Sequence, residues 1–306
     1  MTARSCLNVT DFDAAEVVAI LALAELPPPA LGRPLTVDGV PGGVALIFEK
    51  PSNRTRNSTE IAVVQLGGHP VYIRGEEVGF DTREPVDDIA RIMAGYHSVI
   101  AARVFEHSVV ERLAAAAPHT PIVNMLSDHS HPLQAFADAL TMQQLLGPLA
   151  GKRVAYVGDY NNVSRSLAEI CVLLGAHVVF ACPPGFDADP AELERLALLG
   201  PGRVEQFARP AEAVAGAHAV HTDTWVSMGQ EADKEARRRA FEGFTVDAAM
   251  MAAADPGAVF LHCLPAYRGF EVAADVIDGP QSAVFQQGHN RLHAARAVIA
   301  FLLGVR

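Results

Sequence analysis

The most informative residues of this chain are the hydroxyls and guanidiniums of 48–56, Phe-Glu-Lys-Pro-Ser-Asn-Arg-Thr-Arg. The apolar run 44–48 predicts a buried strand, and Ile61, Val64 and Leu66 predict a helix after it. The first N–H groups of a helix lack internal partners and lie at the positive end of its dipole. Because arginine forks match phosphate oxygens, this strand-to-helix junction predicts a phosphate site. A solvated basic turn is the alternative interpretation.

Three further polar side chains could act on a carbonyl group beside such a phosphate. Arg103 follows the apolar run 99–102 and would supply another cation, unless it is a surface arginine. His131 and Gln134 begin a long helix, with Pro132 at a favoured first position. A histidine donor and an amide one turn apart could polarise a carbonyl and orient an NH2 group. Ordinary helix capping is the alternative for this pair.

The second half of the chain carries candidates for binding an amine. Asn162 is a polar side chain at the start of the predicted helix 162–174. The segment 157–163, where a dinucleotide fold would carry its fingerprint, lacks the required glycine spacing. Asp223 follows a predicted strand and could pair with an amine, and residues 227–229, Ser-Met-Gly, predict a loop able to close over a ligand. Cys263 ends another strand, where it either contacts the ligand or is a small buried hydrophobe.

Strand-like and helix-like segments alternate along the chain, which predicts an α/β fold of parallel sheets wrapped by helices. A capping pattern at Thr10 and Asp13 predicts a first helix ending near Leu26. The remaining predicted strands are 43–49, 70–74, 98–103, 121–126, 152–157, 177–181, 203–207, 219–223, 258–261 and 283–286. The remaining predicted helices are 54–66, 86–95, 108–117, 132–146, 162–174 and 289–304.

The alternation restarts after Gly151, which predicts two domains, each a parallel sheet flanked by helices. We expect the first domain at 1–147 and the second at 148–288, joined by the long helix 132–146. The C-terminal segment 289–306 is expected to return to the first domain. This return would bring Arg291 to the phosphate site as a further cation, although a surface arginine at a helix start is the alternative.

Composition narrows the classes of function. Half of the 306 residues are apolar and 19% are charged, as in a soluble globular protein. The net charge of −11 argues against a nucleic-acid binder, and no apolar run or signal pattern predicts a membrane or secreted protein. The four cysteines show no C-x-x-C spacing, which favours a reduced, cytoplasmic protein. Because H-E-x-x-H and Cys/His zinc spacings are missing, we expect no metal.

Taken in order, these motifs resemble the ornithine branch of the aspartate/ornithine carbamoyltransferase family. The resemblance covers nearly the whole chain. It rests on 48–56, Arg103, 131–134 (His-Pro-Leu-Gln), 223–229 (Asp-Thr-Trp-Val-Ser-Met-Gly), 262–265 (His-Cys-Leu-Pro) and 290–293 (Asn-Arg-Leu-His). It implies a two-domain carbamoyltransferase that is usually a homotrimer with active sites between subunits. It also implies the substrates carbamoyl phosphate and L-ornithine, in arginine biosynthesis, without a metal or organic cofactor.

The same resemblance implies a role for each matching residue. Carbamoyl phosphate would be held by Ser52, Asn53, Arg54, Thr55, Arg103, His131, Gln134, Cys263, Leu264 and Arg291. Within that set, the groups at the reacting centre would be Arg103, His131, Cys263 and Arg291. Ornithine would be held by Asn162, Asp223, Ser227 and Met228. The resemblance also implies a cis bond between Leu264 and Pro265.

Three departures from the family pattern keep other functions open. Asn53 replaces a threonine, Thr59 replaces an aromatic residue, and the loop around Glu77 is acidic where the family commonly offers Gln and Ser. A carbamoyltransferase for putrescine, lysine or an acylated ornithine is therefore the alternative. A binding protein that kept the fold and an NAD-dependent dehydrogenase are two further hypotheses, and the missing glycine fingerprint counts against the second.

Overall fold

The computed structural model describes residues 2–226 and 233–306. The chain divides into two compact units, Met1–Ala137 with His289–Arg306 and Asp138–Gly288. Two long helices contain the points of division, α6 at Pro132–Leu146 and α13 at Val284–Leu302. The predicted domain boundary at 147–148 stays a prediction.

The first unit is built on a four-stranded parallel sheet of order β4-β3-β5-β6. Its strands are β1 Thr36–Val37, β2 Val40–Pro41, β3 Gly43–Phe48, β4 His69–Arg74, β5 His97–Arg103 and β6 Ile122–Leu126, of which β1 and β2 form a small antiparallel pair. Its helices, besides part of α6 and α13, are α1 Ala14–Glu25, α2 Asn53–Gln65, α3 Gly75–Val78, α4 Val86–Ala94 and α5 His107–Ala116.

The central strand β3 is buried from Val44 to Phe48, as the continuous apolar run predicts for a parallel strand covered on both faces. Apolar side chains of β3 and β5 pack with those of α4 and α5 in one core, which includes Ile47, Ile89 and Val110. This core fixes the carboxyl ends of β3 and β5, and the polar residues of the first unit follow directly from those ends.

The second unit is built on a five-stranded parallel sheet of order β11-β10-β7-β8-β9. Its strands are β7 Arg153–Val157, β8 His177–Ala181, β9 Arg203–Phe207, β10 Ala219–Thr222 and β11 Val259–His262. Its helices, besides part of α6 and α13, are α7 Asn162–Leu173, α8 Pro190–Ala197, α9 Pro210–Val214, α10 Lys234–Ala240, α11 Ala248–Ala253 and α12 Ala274–Ile277. Because β10 lies between β11 and β7, the three turns after these strands are neighbours.

The predicted α/β class with two parallel sheets is confirmed, and two local predictions are wrong. The first helix is capped by Asp13, whose side chain accepts from the backbone N–H of Glu16, so it begins later than Thr10. Residues 283–286 are not a strand, because Val284 already begins α13. Around Phe260 the chain makes two strand-like hydrogen bonds, to Gln281 and from Ala283, before the helix starts. An apolar run this short fits either structure.

The sequence predicts no membrane-spanning segment. Among residues 2–226 and 233–306, no helix is both long enough and apolar enough to cross a bilayer.

Candidate functional site

The junction between β3 and α2 has the geometry predicted for a phosphate cradle. Ser52 is the N-cap of α2, and its hydroxyl accepts from the backbone N–H of Thr55 at 3.3 Å. Asn53, Arg54 and Thr55 therefore form the first turn of the helix, where backbone N–H groups lack partners within the helix. Dipole and N–H groups together favour an anion at this point.

Arg291 on α13 reaches this first turn. Its Nη2 donates to the Thr55 hydroxyl at 2.6 Å, and both side chains are buried. The two residues are 236 positions apart in the chain, so the C-terminal helix returns a guanidinium to the β3–α2 junction. The predicted further cation therefore lies at the cradle. A hydrogen bond with a charged donor is stronger than a neutral one, so it holds the guanidinium in one orientation.

Several cations surround the imidazole of His131. The pKa of His131 lies well below its usual value, first because the ring is buried and then because Arg291, Arg103 and Lys50 are close. Burial and the charge of Arg103 also lower the pKa of Lys50, whose ammonium lies 4.5 Å from the centre of the Phe105 ring. His131 is therefore neutral at pH 7 and can donate one N–H in a strongly positive environment, which suits a negatively charged ligand.

The carboxylate of Glu49 connects the strands that carry these groups. The backbone N–H of Glu49 donates to the carbonyl of Arg103 at 2.9 Å, and its Oε2 accepts from the backbone N–H of Phe105 at 2.8 Å. The end of β3 is thereby tied to the end of β5, and Arg103 itself is 6% exposed. Gln134 lies one turn into α6 from His131 and is also buried.

The side chains of Arg56 and Asn53, both near the start of α2, contact neighbours on the same helix. Arg56 pairs with Glu60 at 2.8 Å and lies over the Tyr72 ring, with its guanidinium carbon 3.7 Å from the ring centre. The side-chain oxygen of the exposed Asn53 accepts from Asn57 at 3.0 Å. Occupation of the Asn53 amide oxygen by Asn57 fits a contribution through the Asn53 backbone rather than its side chain.

In the second unit, Asp223 lies at the centre of a cluster at the carboxyl ends of β7, β10 and β11. Its Oδ2 accepts from Asn161 Nδ2 at 3.1 Å, and its Oδ1 accepts from the backbone N–H of Thr224 at 2.8 Å. The Cys263 thiol donates to Oδ1 at 3.0 Å. Asp223 is 7% exposed. Asn162, the residue after Asn161, is the first residue of α7. The arrangement presents a carboxylate and an amide, which suit the amine and carboxylate of an amino acid.

The segment 262–265 is held by hydrogen bonds that use both nitrogens of His262. Its Nδ1 accepts from the backbone N–H of Leu264 at 2.8 Å, so Nε2 carries the proton toward Glu271 Oε1 at 3.1 Å. The Leu264–Pro265 bond is cis, as predicted. In the described part of the chain, Asp223, His262 and Cys263 form the single group whose side chains could hold a metal ion. Because those hydrogen bonds occupy both ring nitrogens, we interpret the group as a hydrogen-bond network.

The structure thus gathers the predicted residues into two sets. In the first unit the described contacts connect Ser52, Thr55, Arg103, His131 and Arg291. In the second they connect Asp223 and Cys263, with Leu264 next to it. Cys263, predicted for carbamoyl phosphate, has its described thiol contact with the predicted ornithine ligand Asp223. Ser227 and Met228 lie outside the described residues.

Sequence reasoning missed the roles of Asn161 and Lys50. Asn161 caps α7 by accepting from the N–H groups of Val163 and Ser164, and it also bonds Asp223. An asparagine three residues before Ser164 is a recognisable cap, whereas its bond to Asp223 spans 62 positions and leaves no local pattern. Gly158 adopts φ +142°, which L side chains rarely adopt, so the glycine serves the turn that presents Asn161.

Comparisons with known proteins agree on one family. Residues 4–144 match the carbamoyl-P binding domain of aspartate/ornithine carbamoyltransferases, and residues 150–302 match their Asp/Orn binding domain. An ornithine carbamoyltransferase of Thermus thermophilus is 49% identical over 261 residues, which cover 85% of this chain and 84% of that protein. An ornithine carbamoyltransferase of Pyrococcus furiosus, called anabolic, is 42% identical over 310 residues, covering 99% of this chain and 98% of that protein.

A solved structure agrees with the sequence matches. The ornithine carbamoyltransferase from Pyrococcus furiosus superimposes with a TM-score of 0.92 at 40% identity, covering 99% of this chain and 98% of that one. Both domain models span the motifs that carried the resemblance, and the relatives are ornithine carbamoyltransferases, so the resemblance is confirmed. The chain belongs to the aspartate/ornithine carbamoyltransferase family.

Proposed function

We propose that this protein is an enzyme that transfers the carbamoyl group of carbamoyl phosphate to the side-chain amine of L-ornithine, which yields L-citrulline and phosphate. The observation that carries the proposal is the convergence of Arg103, Arg291 and Lys50 around the neutral His131, beside the first turn of α2. The relatives named ornithine carbamoyltransferase support the reaction and the choice of acceptor.

The first unit supplies what the carbamoyl phosphate half of the reaction needs. Arg54, Thr55 and the N–H groups of α2 take the phosphate, together with Ser52 and the backbone of Asn53. Arg103 and the N–H of His131 stabilise the oxyanion that forms when the carbonyl carbon is attacked. Gln134 orients the carbamoyl NH2 group, and Arg291 faces the same anion. A neutral histidine is suited to donation because it keeps one N–H.

The amine half of the reaction needs a neutral nucleophile. An alkyl amine has a pKa of about 10.4, so about one molecule in 2,500 is neutral at pH 7, a penalty of roughly 4.6 kcal/mol. Cations close to the amine disfavour its charged form and so lower this penalty. The amine nitrogen attacks the carbonyl carbon, the carbon–oxygen bond to phosphate breaks, and the amine loses its proton as phosphate leaves.

The second unit supplies a site for the amino-acid part of the acceptor. We propose that Asp223 binds the α-amine and that Asn162 binds the α-carboxylate, with Ser227 and Met228 as further ligands. Cys263 and Leu264 contribute at the reacting centre. A cluster built around a carboxylate and an amide suits a free α-amino acid better than putrescine or an acylated ornithine, which lack one of the two α-groups or its charge.

Four further statements about the protein belong to the same proposal. We propose that it acts in the cytoplasm, in arginine biosynthesis, as a homotrimer, and that it needs no metal or organic cofactor. The relative called anabolic supports the direction. Mass measurement by light scattering would test the trimer, with a monomeric mass as the contrary result.

A panel of acceptors tests the proposed activity. The purified protein is incubated with carbamoyl phosphate and, in turn, ornithine, putrescine, lysine and N-acetylornithine, and the carbamoylated product and phosphate are quantified. We expect the highest kcat/KM for L-ornithine. No citrulline at saturating substrates would reject the proposed activity, and a higher kcat/KM for another amine would reject the acceptor. Arg54→Ala should abolish turnover, which separates an enzyme from a protein that merely binds.

A further inference from the structure

Arg237 is a buried arginine on an otherwise exposed helix. It lies on α10 with 9% of its surface exposed, whereas the neighbouring Arg238 and Arg239 are exposed. Its guanidinium carbon lies 4.8 Å from the centre of the Phe186 ring and 5.7 Å from that of Phe241. A buried guanidinium between aromatic rings is costly unless its donors are used, so its partners indicate what it does.

The donors of Arg237 reach two different turns. Its Nε donates to the backbone carbonyl of Trp225 at 2.5 Å, in the turn after β10. Its Nη2 forms an ion pair with Asp159 Oδ2, in the turn after β7. Since β7 and β10 are paired neighbours, one guanidinium joins two adjacent strand ends.

Those two turns carry the proposed amino-acid ligands. Asp223 lies two residues before Trp225, and Asn162 lies three residues after Asp159. The hydrogen bond from Asn161 to Asp223 crosses between the same turns. Arg237 therefore lies outside the ligand set and fixes the two segments from which that set is presented.

The charge of Arg237 also stabilises the nearby carboxylate of Asp159. The pKa of Asp159 is raised to about 6, first by burial and also by the charge of Asp223, whereas Arg237 opposes both effects. Without Arg237, the carboxylates of Asp159 and Asp223 would repel each other in a poorly solvated place, and Asp159 would lose the cation that offsets its charge. Loss of this cation is expected to move the 158–162 turn away from Asp223 or to leave Asp159 protonated.

We propose that Arg237 is a positioning residue for the acceptor amino acid, holding the 158–162 and 223–225 turns in one arrangement through Asp159 and the Trp225 carbonyl. This inference rests on the proposed function, because it assigns the two turns to acceptor binding. It predicts that loss of Arg237 weakens binding of the acceptor and leaves binding of carbamoyl phosphate unchanged.

The test compares Arg237→Gln with Arg239→Gln, which removes the same charge from an exposed position of the same helix. We expect Arg237→Gln to raise KM for ornithine at least tenfold and to change KM for carbamoyl phosphate less than twofold. The preference for ornithine over putrescine, which lacks the α-carboxylate, should fall by a similar factor. Arg237→Lys should recover part of the loss, and Arg239→Gln should match the parent.

Hydrogen exchange measured by mass spectrometry gives a readout independent of turnover. Peptides covering 158–162 and 221–226 should exchange faster in Arg237→Gln than in Arg239→Gln, whereas 52–60 should be unchanged. If Arg237→Gln folds poorly, the double variant Asp159→Asn/Arg237→Gln removes both charges and is measured in its place. The inference would be overturned if Arg237→Gln kept both the hydrogen exchange and the KM for ornithine of the parent. It would also be overturned if KM rose equally for ornithine and for carbamoyl phosphate. A parent that makes no citrulline would reject the proposed function alone, since the exchange result still decides the role of Arg237.

Discussion

The hydrogen bond from Arg291 to Thr55 offers a sharp test of the proposed phosphate cradle. Thr55→Val keeps the shape of the side chain and removes the hydroxyl that accepts from Arg291 Nη2 at 2.6 Å and from the Ser52 hydroxyl at 3.0 Å. A hydrogen bond to a charged group contributes about 1.5–3 kcal/mol. If that energy holds the guanidinium in its working orientation, kcat/KM for carbamoyl phosphate should fall roughly 10- to 160-fold at ~1.36 kcal/mol per factor of ten.

The same helix provides a matched control. Thr59 lies one turn after Thr55, is fully buried, and its hydroxyl has no hydrogen-bond partner among the described residues. Thr59→Val removes a buried hydroxyl in the same way, so it should leave kcat/KM unchanged and hold or raise the free energy of unfolding. The pair separates the loss of a specific bond from the general effect of this substitution in α2.

The assay is steady-state citrulline formation with carbamoyl phosphate varied at saturating ornithine, accompanied by thermal unfolding of each variant. We expect a large loss for Thr55→Val and none for Thr59→Val. The reasoning is refuted if Thr55→Val keeps parental kcat/KM, or if both variants lose activity to the same extent.

Three other predictions follow from buried charges. Asp223→Asn keeps the size of the side chain and removes its charge, so KM for ornithine should rise roughly 10- to 160-fold, while KM for carbamoyl phosphate changes less than twofold in the same assay. Because burial and nearby cations hold the pKa of His131 well below its usual value, its ring should stay neutral down through pH 6; a histidine NMR signal that is lost in His131→Gln and titrates near 6.5 would contradict this. Arg195→Met leaves the carboxylate of Glu169, 3% exposed, without the guanidinium that contacts it at 2.8 Å, so urea unfolding should show a loss of about 3 kcal/mol that Glu169→Leu largely restores.

Much of the fold could be predicted because its strands are short apolar runs between clear helix patterns. The predicted strands 177–181 and 203–207 have the observed bounds, and the predicted helix 132–146 is α6. The failure at 283–286 has a physical cause, since a segment of three apolar residues followed by a glutamine fits a strand or the first turn of α13 equally well. Tertiary contacts select the helix over the strand, and such contacts cannot be predicted from the local sequence pattern.

The site divides in a similar way. Residue types at strand ends could be predicted, because the carboxyl ends of parallel strands collect the ligands. The return of the C-terminal segment predicts Arg291 at the phosphate site, whereas its hydrogen bond to Thr55 spans 236 positions and leaves no local pattern. The outward placement of Arg56, paired with Glu60, could not be told from that of Arg54, because both arginines occur in one helical turn.

The charges around His131 argue that this site is built for a multiply charged anion. Burial is the first cause that lowers the pKa values of Lys50 and His131, and nearby cations lower them further: Arg103 for Lys50, and Arg291, Arg103 and Lys50 for His131. Cations that crowd a largely buried place raise the free energy of the unliganded protein, and a bound dianion removes that repulsion while accepting their hydrogen bonds. A neutral carbonyl ligand would accept a hydrogen bond from the N–H of His131 without relieving the repulsion among the cations. The same arrangement therefore favours the phosphate-bearing substrate before the reaction and the developing oxyanion during it.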